Sequence, residues 1–577
     1  MNKLRRFSLA FVCAALVSAG WAADNSQPLG TASDGQSAEL QQLKAQLEQQ
    51  QKQIEQLRAT LEAQQKLLEK AQNGQNATPA AEAQAAPPTE PEHKAPNLGD
   101  VASTVPIIPR GVAPAPGVAK PLPLPDPQQP AANQIPDSPL QLRIGASTIT
   151  PVGFMDATDT FRSTNSGAGL ATNFGNYPYN NNLPNGRLTS NNISVQNSRI
   201  GVRFDSTYKG YHVLGYWESD FVGQNAANNL LVTSNSQLFR VRLYWVQVRK
   251  DKFEFLAGQS WSMMTPNRRQ ISPLPGDLFY GQEFDVNYLN GLTWGRIPGY
   301  RFVYHPSNKV TWGLSLENAS QYFGGSGGSA NPTLPAALGG LTSTELDANV
   351  AVGLNISNVH PDIISKLAFD PSAHIHFEIA GVLDTAKIFN PSTTGPGAQQ
   401  YFTKTGGGGS VNGNFEIFKN FRLITNNFWS DGAGRYLFGE APNFILQASG
   451  NPSLLHSGST VDGFETRVGK TQIYGYYGGI YVGRDTALDA NNTSLIGYGY
   501  RGSPNSQNRT MQEGTFGITQ TFFNDPKYGA VSFYLDYAYF WRNPWYVAPG
   551  APKNAKQNAV WFDLRYTLPG SAPTIQY

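Results

Sequence analysis

Cysteine is almost absent from this chain, since the only one among its 577 residues is Cys13. Cys13 lies in an N-terminal segment that combines a basic start (MNKLRR), an apolar stretch of about 13 residues (FSLAFVCAALVSA) and the small residues Gly20 and Ala22. These are the features of a secretory signal peptide, and the apolar stretch is short for a membrane anchor, which needs roughly 20 residues. We expect residues 1–22 to be cleaved after Ala22. The mature chain then has no disulfide, thiolate metal site or cysteine nucleophile.

Charge and long apolar runs are also scarce. Charged residues make up 15% of the chain, against about 25% in an average soluble domain. Loss of Lys3, Arg5 and Arg6 with the signal peptide reduces the 43 basic residues to 40, against 41 acidic residues. This balance gives no argument for nucleic acid or for an anionic membrane surface as a partner. No later run of 18 or more apolar residues occurs, so no transmembrane helix is expected in the mature chain.

Glycine and aromatic residues are abundant instead. The chain has 58 glycines and 26 tyrosines, and 12% of its residues are aromatic. An exported, cysteine-free chain of this composition, without spanning helices, is typical of a transmembrane β-barrel.

Residues 34–72 carry a heptad repeat. Apolar residues recur at alternating spacings of three and four, with Gln50 and Gln64 at two of the d positions. A 3.5-residue period predicts a coiled coil, and polar d positions suit a three-stranded coil better than a tight dimer. The alternative is an amphipathic helix that packs on its own domain. The predicted core consists of Leu40, Leu43, Leu47, Ile54, Leu57, Leu61 and Leu68.

Residues 73–140 form a linker rich in proline and alanine, as in VPIIPRGVAPAPGVAKPLPLPDPQQP. Proline at this density prevents helices and β-ladders and favours an extended, semi-rigid spacer. A helix so far along the chain from the following domain needs another partner. Self-association is the simplest one.

Residues 141–577 are predicted to form an all-β domain. From about Thr148, apolar and polar residues alternate with a period of two in sixteen segments. In VWFDLRYTL, for example, Phe562 and Leu564 oppose Asp563 and Arg565. Alternation alone also fits a soluble sandwich. The connections favour an antiparallel transmembrane barrel, because seven short turns follow the even-numbered strands and eight long polar loops follow the odd-numbered ones.

The fourth segment, QLFRVRLYWV, is predicted to turn one face to lipid and the other to the lumen. Phe239, Val241, Leu243 and Trp245 would lie on the lipid face, and Arg240, Arg242 and Tyr244 on the lumenal face.

Several arginines occupy positions of neighbouring strands whose side chains are predicted to face the lumen. They form a predicted basic wall that consists of Arg199, Arg203, Arg240, Arg242 and Arg301. Closely spaced guanidinium groups in a narrow pore would favour the passage of anions. In the alternative interpretation these arginines pair with Glu218, Asp220 or loop carboxylates and set only the pore size.

The third long loop, residues 262–291, carries an unusual number of charges. Pro273, Pro275 and Gly276 would stiffen a fold-back of this loop. The predicted constriction residues are Arg268, Arg269, Asp277, Glu283 and Asp285.

Catalytic and metal-binding signals are weak. Residues 324–328 (GGSGG) fit the spelling of a nucleophile elbow but lack its strand–turn–helix context. Residues 406–410 (GGGGS) lack the Lys-Ser/Thr of a phosphate loop, and close backbone packing explains these glycines better. His374 and His376 have no evident third ligand. We therefore predict no enzyme activity, cofactor or metal.

This layout resembles the trimeric porins of Gram-negative outer membranes, on the signal peptide, the sixteen strands, the acidic third loop and the arginines of strands two and four. The coiled coil and the linker ahead of the barrel resemble the DcaP-like porins. The resemblance implies a homotrimer associated with dicarboxylate uptake, in which the third loop folds into the barrel and faces the basic cluster. The chain departs from the usual pattern at its end, where PGSAPTIQY follows Leu568 and no aromatic residue closes the last strand.

Two functions are therefore expected from the sequence. The first is a passive diffusion channel, embedded in outer-membrane lipid, for small hydrophilic or anionic solutes, with the coiled coil in the periplasm. The alternative is a structural barrel that anchors the envelope through its coiled coil, with peptidoglycan as a candidate partner.

Overall fold

A computed structural model describes residues 138–570 except 167–168, 180–182, 224–236, 276–277, 279–288, 327–329 and 349–355. The signal peptide, the coiled coil and all but the end of the linker lie outside the described residues, so these predictions stay predictions.

Sixteen antiparallel strands form a closed barrel, as the sequence predicts. The strands are β1 (Ser147–Arg162), β2 (Ser190–Ser194 and Arg199–Tyr208), β3 (Tyr211–Asp220), β4 (Arg240–Lys250), β5 (Phe253–Trp261), β6 (Arg296–Ser307), β7 (Val310–Glu317), β8 (Asp362–Ser372), β9 (Ile375–Phe389), β10 (Tyr401–Phe418), β11 (Phe421–Asp431), β12 (His456–Val468), β13 (Thr471–Val482), β14 (Asn508–Asp525), β15 (Gly529–Pro544) and β16 (Ala555–Thr567). The ladder between β1 and β16 closes the barrel and runs from Phe154 opposite Thr567 to Arg162 opposite Ala559. The sheet has eighteen strands when the two parts of β2 are counted separately and the short strand Leu142–Ile144, paired with the start of β1, is added.

The second strand is split because its middle binds a side chain of β1. Residues 195–198 leave the ladder, and Asn197 Nδ2 donates a hydrogen bond of 3.0 Å to Asp156 Oδ2. The Asp156 backbone N–H donates to Ser198 Oγ, also at 3.0 Å. Both parts of β2 still pair with β1, so they act as one strand of the barrel.

The connections differ at the two ends of the barrel. At one end, which we call the turn end, seven short links follow the even-numbered strands. In the first of them Lys209 (φ 47°) and Gly210 (φ 81°) both have positive φ, the conformation that matches the twist of a two-residue hairpin. At the loop end, eight longer loops follow the odd-numbered strands, and loops 1, 3, 4 and 6 span residues 163–189, 262–295, 318–361 and 432–455.

Short elements lie within the described parts of the loops. They include the 3₁₀ helices Pro184–Gly186, Ala336–Ser343 and Gly434–Tyr436, and the hairpins Phe444–Leu446 with Pro452–Leu454 and Asp485–Leu488 with Leu495–Tyr498. Within the described ranges, no helix has the length and apolar character needed to cross a bilayer.

Side-chain burial confirms the alternation that the sequence predicts for the last strand. Phe562 and Leu564 are each 50% exposed on the outer face, whereas Asp563 and Arg565 are buried on the inner face. An apolar outer face and a polar inner face are the arrangement of a barrel whose outside meets lipid.

The predicted faces of β4 are wrong beyond Arg242. Val241 pairs with Ser219 and Leu243 pairs with Glu218, so Arg242 is an extra residue opposite that step. Such a β-bulge reverses the alternation after it. Consequently Leu243 and Trp245 are buried inside the barrel, and Tyr244 is 67% exposed on the outside.

Two glycines of β14 test the packing of the inner face. A Cβ atom at Gly517 would lie 2.0 Å from Asp536 Oδ1 and 2.2 Å from the Tyr474 ring, whereas one at Gly514 would have no atom within 4 Å. We expect Gly517→Ala to lower the free energy of unfolding by about 1–3 kcal/mol, the usual cost of overpacking. Gly514→Ala, on the outer face of the same strand, is the control and should be nearly neutral. Urea midpoints of the refolded protein measure both, and equal midpoints would contradict the inner-face packing.

Candidate functional site

The described part of loop 3 lies inside the barrel. Met263, Met264, Ile271 and Leu274 are buried there, and the Met263 backbone N–H donates to Glu317 Oε1 of β7 at 2.8 Å. The lumen is therefore narrowed by a loop, as the resemblance to porins implies.

A buried lysine attaches the start of loop 3 to the wall. Lys366 Nζ of β8 donates to the Thr265 backbone oxygen at 2.7 Å, to Asn267 Oδ1 at 3.1 Å and to Glu378 Oε1 of β9 at 2.9 Å. These bonds use all three ammonium hydrogens, and the side chains of Lys366 and Glu378 are both 0% exposed. Glu378 Oε1 also accepts the side-chain amide of Asn412 at 2.8 Å. A buried charge satisfied in this way holds its partners in one arrangement.

The next residue of loop 3 that binds the wall is Arg268. Its two terminal nitrogens donate to the two carboxylate oxygens of Glu465 of β12, at 3.0 and 2.8 Å. Tyr476 of β13 supports this carboxylate with a bond of 2.8 Å from its hydroxyl. Glu465 is 0% exposed, so the bidentate pair is protected from water and from salt.

The end of loop 3 also contacts the wall closely. The Asn290 backbone N–H donates to Glu513 Oε2 of β14 at 2.8 Å. A Cβ atom at Gly478 would lie 2.0 Å from the Asn290 carbonyl oxygen. Only a glycine on β13 allows this approach.

The structure describes two of the five predicted constriction residues. Arg268 binds Glu465 as above, and Arg269 is half-buried beside it. Asp277, Glu283 and Asp285 lie outside the described residues.

The five predicted wall arginines all lie on the inner face, and four of them are paired with carboxylates. Arg199 lies 3.4 Å from Glu218, and Arg203 lies 2.7 Å from Asp205. Arg240 contacts Asp220 at 2.6 Å, and Arg242 contacts Glu218 at 2.7 Å and Asp220 at 2.8 Å. Arg301 donates instead to the Trp261 backbone oxygen.

The paired arginines share their carboxylate partners. Among the described residues, Arg199 and Arg242 both contact Glu218, and Arg240 and Arg242 both contact Asp220. Pairing therefore fixes the three guanidinium groups in position on the lumenal wall.

Arg565 of β16 is a member of this wall that the predicted site does not include. It binds Asp156 at 2.8 Å and Asp563 at 3.1 Å. The Phe154 ring of β1 has the Arg565 guanidinium 4.1 Å and the Arg199 guanidinium 5.2 Å from its centroid. The alternation in the sequence already places Arg565 on the lumenal face. Its contacts depend on the pairing of β16 with β1, which the sequence does not reveal.

A small cavity of about 20 Å³ separates loop 3 from the basic wall near the turn end. It lies between residues 270–274 of the loop and the side chains of Arg203, His212 and Arg249, and it has room for about one water molecule.

The two histidines singled out by the sequence have separate carboxylate partners. His374 Nδ1 lies 2.5 Å from Glu416, and His376 contacts Asp370 at 3.0 Å and Glu378 at 3.3 Å. Among the described residues no group of three His, Cys, Asp or Glu side chains is arranged to hold a metal ion. The glycines of residues 406–410 lie in β10, where a Cβ at Gly406 would lie 2.5 Å from the Asp431 backbone oxygen.

At the loop end, loop 1 is held across the mouth of the barrel. Arg542 of β15 donates from Nε to the Tyr177 backbone oxygen at 2.8 Å. Glu440 of loop 6 accepts the Gly175 backbone N–H at 3.1 Å. Burial raises the pKa of Glu440 well above its usual range, against smaller opposing effects of that hydrogen bond and of Arg542.

Comparison with known proteins identifies the fold. No family model matches the sequence, and no curated protein matches it. The crystal structure of the outer membrane channel DcaP of Acinetobacter baumannii superposes with a TM-score of 0.50 at 13% identity, over 74% of this chain and 98% of that one. This likeness shows that the two chains share the porin barrel fold.

Looser likenesses extend to other outer-membrane proteins. An anion-selective porin from Comamonas acidovorans has 10% identity and a TM-score of 0.40, over 73% of this chain and 99% of that one. OmpT of Vibrio cholerae has 12% identity and a TM-score of 0.40, over 74% and 99%. Overlap at this level transfers no property to the present chain.

The anchor of loop 3 can be tested by removing Lys366. We expect Lys366→Met to lower the free energy of unfolding by about 3–5 kcal/mol, because Glu378 would stay buried after losing its lysine partner. The double variant Lys366→Met/Glu378→Gln should regain part of this loss. Denaturant midpoints measure both, and a neutral single variant would contradict the anchor.

The contact of Glu440 with loop 1 should depend on pH. Because the folded-state pKa is raised, the native chain holds this proton where the unfolded chain has lost it, so stability falls as pH rises from the ordinary carboxyl pKa of about 4.3 towards the raised value. Glu440→Gln should remove this contribution to the slope. Unfolding midpoints between about pH 5 and 8 measure it, and identical slopes for the two proteins would be evidence against the raised pKa.

Proposed function

We propose that this chain forms a porin of the outer membrane, a passive diffusion channel for small hydrophilic solutes with a preference for anions. The observation that carries the proposal is the closed barrel with an apolar outer face, a charged inner face and a loop folded into the lumen. A barrel of this width encloses an aqueous channel unless loops fill it. The fold shared with the DcaP channel supports the same function.

The arginines of the lumenal wall support an anion preference. Arg199, Arg240 and Arg242 lie together on β2 and β4, Arg565 lies on the adjoining wall, and carboxylates hold all four guanidinium groups in place. Guanidinium groups held in a narrow lumen offer several N–H donors to a passing anion. Dicarboxylates are the more specific candidates for the transported solute, because the layout of the chain resembles that of the DcaP-like porins.

We also propose a homotrimer held together in the periplasm by the coiled coil of residues 34–72. The described chain begins at the turn end, where the Ser138 hydroxyl donates to the Pro569 backbone oxygen at 2.7 Å. Short turns face the periplasm in outer-membrane barrels, so the preceding residues would start on that side. Three chains whose barrels lie side by side could then join their helices below the membrane.

Planar-bilayer recordings test the channel and its selectivity. The wild type should show ohmic steps, and its reversal potential in a salt gradient should indicate anion preference. The variant Arg240→Ala/Arg242→Ala removes two positive charges from the lumenal wall and leaves Arg199 beside Glu218 and Asp220. We expect its anion preference to fall several-fold or to reverse.

Arg467→Ala is the matched control, since Arg467 is exposed at the turn end of β12. It should leave the reversal potential unchanged. Unchanged selectivity of the double variant would refute the role of the basic wall. Absence of conductance steps in the wild type would favour the structural anchor over the channel.

A further inference from the structure

The lysines of the barrel are unevenly distributed between its two ends. Residues 138–570 contain twelve lysines, of which Lys366 lies in the lumen and Lys387, Lys404, Lys553 and Lys556 lie at the loop end. The other seven lie in or beside the short turns. They form what we call the lysine ring, which consists of Lys209, Lys250, Lys252, Lys309, Lys419, Lys470 and Lys527. Six of the seven turns thus carry a lysine, and His374 occupies the seventh.

All seven ring lysines are exposed, and the ion pairs found among the described residues include none of them. Lys252 Nζ contacts the Pro306 backbone oxygen at 3.1 Å, and Lys470 Nζ contacts that of Phe522 at 3.3 Å. The acids in or beside the turns include the exposed Asp251, between two ring lysines, and the half-buried Asp525, whose carboxylate accepts the Lys527 backbone N–H at 2.7 Å. The ring is therefore positively charged, in contrast to the paired arginines of the lumen.

Aromatic side chains on the outer face lie directly beside these lysines. Lys209, Lys250 and Lys527 place their ammonium groups 5.2, 4.5 and 5.2 Å from the ring centroids of Tyr208, Tyr211 and Tyr528. The exposed aromatic residues beside the turns include Tyr208, Tyr211, Phe253, Phe418, Phe522, Phe523 and Tyr528. Such girdles mark the boundary between hydrocarbon and headgroups. A lysine stem that leaves this girdle carries its charge to the level of the headgroups.

We propose that the lysine ring binds the phosphate groups of anionic phospholipids in the periplasmic leaflet around the barrel. This rests on the proposed function, which directs the turns to the periplasm. Successive turns are separated by two strands, roughly 10 Å. The lysine charges are therefore distributed around the whole circumference of the barrel, in the same way as the lipids that surround it. A linear polymer such as peptidoglycan would instead be matched by one compact patch.

The near-zero net charge of the chain gives no indication of this positively charged surface. Near an anionic leaflet each lysine is worth about fivefold in local binding, and the attraction weakens with salt. Lysine suits this role because its compact charge on a flexible stem follows mobile headgroups.

Spin-label spectroscopy of the full-length mature protein in liposomes tests the proposal. The measured quantity is the association constant of spin-labelled phosphatidylglycerol relative to spin-labelled phosphatidylcholine at the barrel surface. The turn-end variant replaces one lysine in each of six turns: Lys209→Gln, Lys252→Gln, Lys309→Gln, Lys419→Gln, Lys470→Gln and Lys527→Gln. The matched loop-end control is Lys387→Gln, Lys404→Gln, Lys553→Gln and Lys556→Gln.

We expect the wild type and the control to prefer phosphatidylglycerol several-fold, in a manner weakened by salt, and the turn-end variant to show no preference. The proposal is overturned if the wild type has no preference, if the turn-end variant retains it, or if both variants lose it equally. Sedimentation with purified peptidoglycan is measured in parallel. Its loss in a turn-end variant that retains the lipid preference would assign the ring to the cell wall instead.

Conductance of the same samples separates this proposal from the channel function. A conducting protein without lipid preference overturns the ring alone. A lipid preference without conductance overturns the channel and leaves the ring in place.

Discussion

Closure of the backbone ladder between β1 and β16 is the constraint on which the rest of the structure depends. In a bilayer no water is available to unpaired N–H and C=O groups, so an open sheet edge is excluded. Closure brings residues from opposite ends of the domain together. Phe154 and Arg565 meet only because their strands are neighbours in the closed ladder, and the basic wall continues from β16 through β1 to β2 for the same reason.

The interior depends on a second constraint, the desolvation of charge. Lys366 and Glu378 are fully buried, which would be costly for either charge alone. The cost is offset by the three hydrogen bonds of the ammonium group, two of which reach loop 3. Any other position of the loop would leave this lysine without those acceptors. The ion pair therefore contributes less to overall stability than to fixing one conformation of the loop that narrows the lumen.

Much of the fold could be predicted because its determinants are local. The period of two and the contrast between short and long connections are visible in the sequence. They predict sixteen strands and the position of Arg199 and Arg301 on the inner face of the barrel. The bulge at Arg242 could not be predicted, because an extra residue in one strand is recognisable only against the register of its neighbour. The partners of the wall arginines were equally inaccessible. Whether Arg240 meets Asp220 depends on the pairing of β3 with β4. The arginines do contact Glu218 and Asp220, and their effect on selectivity stays a prediction.

The cost of desolvating a charge also explains why arginine and lysine occur at different places in the barrel. In the lumen, where water is limited, a guanidinium group is stable only with fixed acceptors, and Arg242 has them in Glu218 and Asp220. At the turn end, Lys419 and Lys470 are exposed to solvent and need no carboxylate. A chain of nearly zero net charge can thus present one surface whose positive charges are fixed and mostly compensated, and another whose charges are mobile and uncompensated. Overall charge therefore indicates little about the partners of a barrel, because the two ends and the lumen face different surroundings and their charges act over distances shorter than the barrel itself.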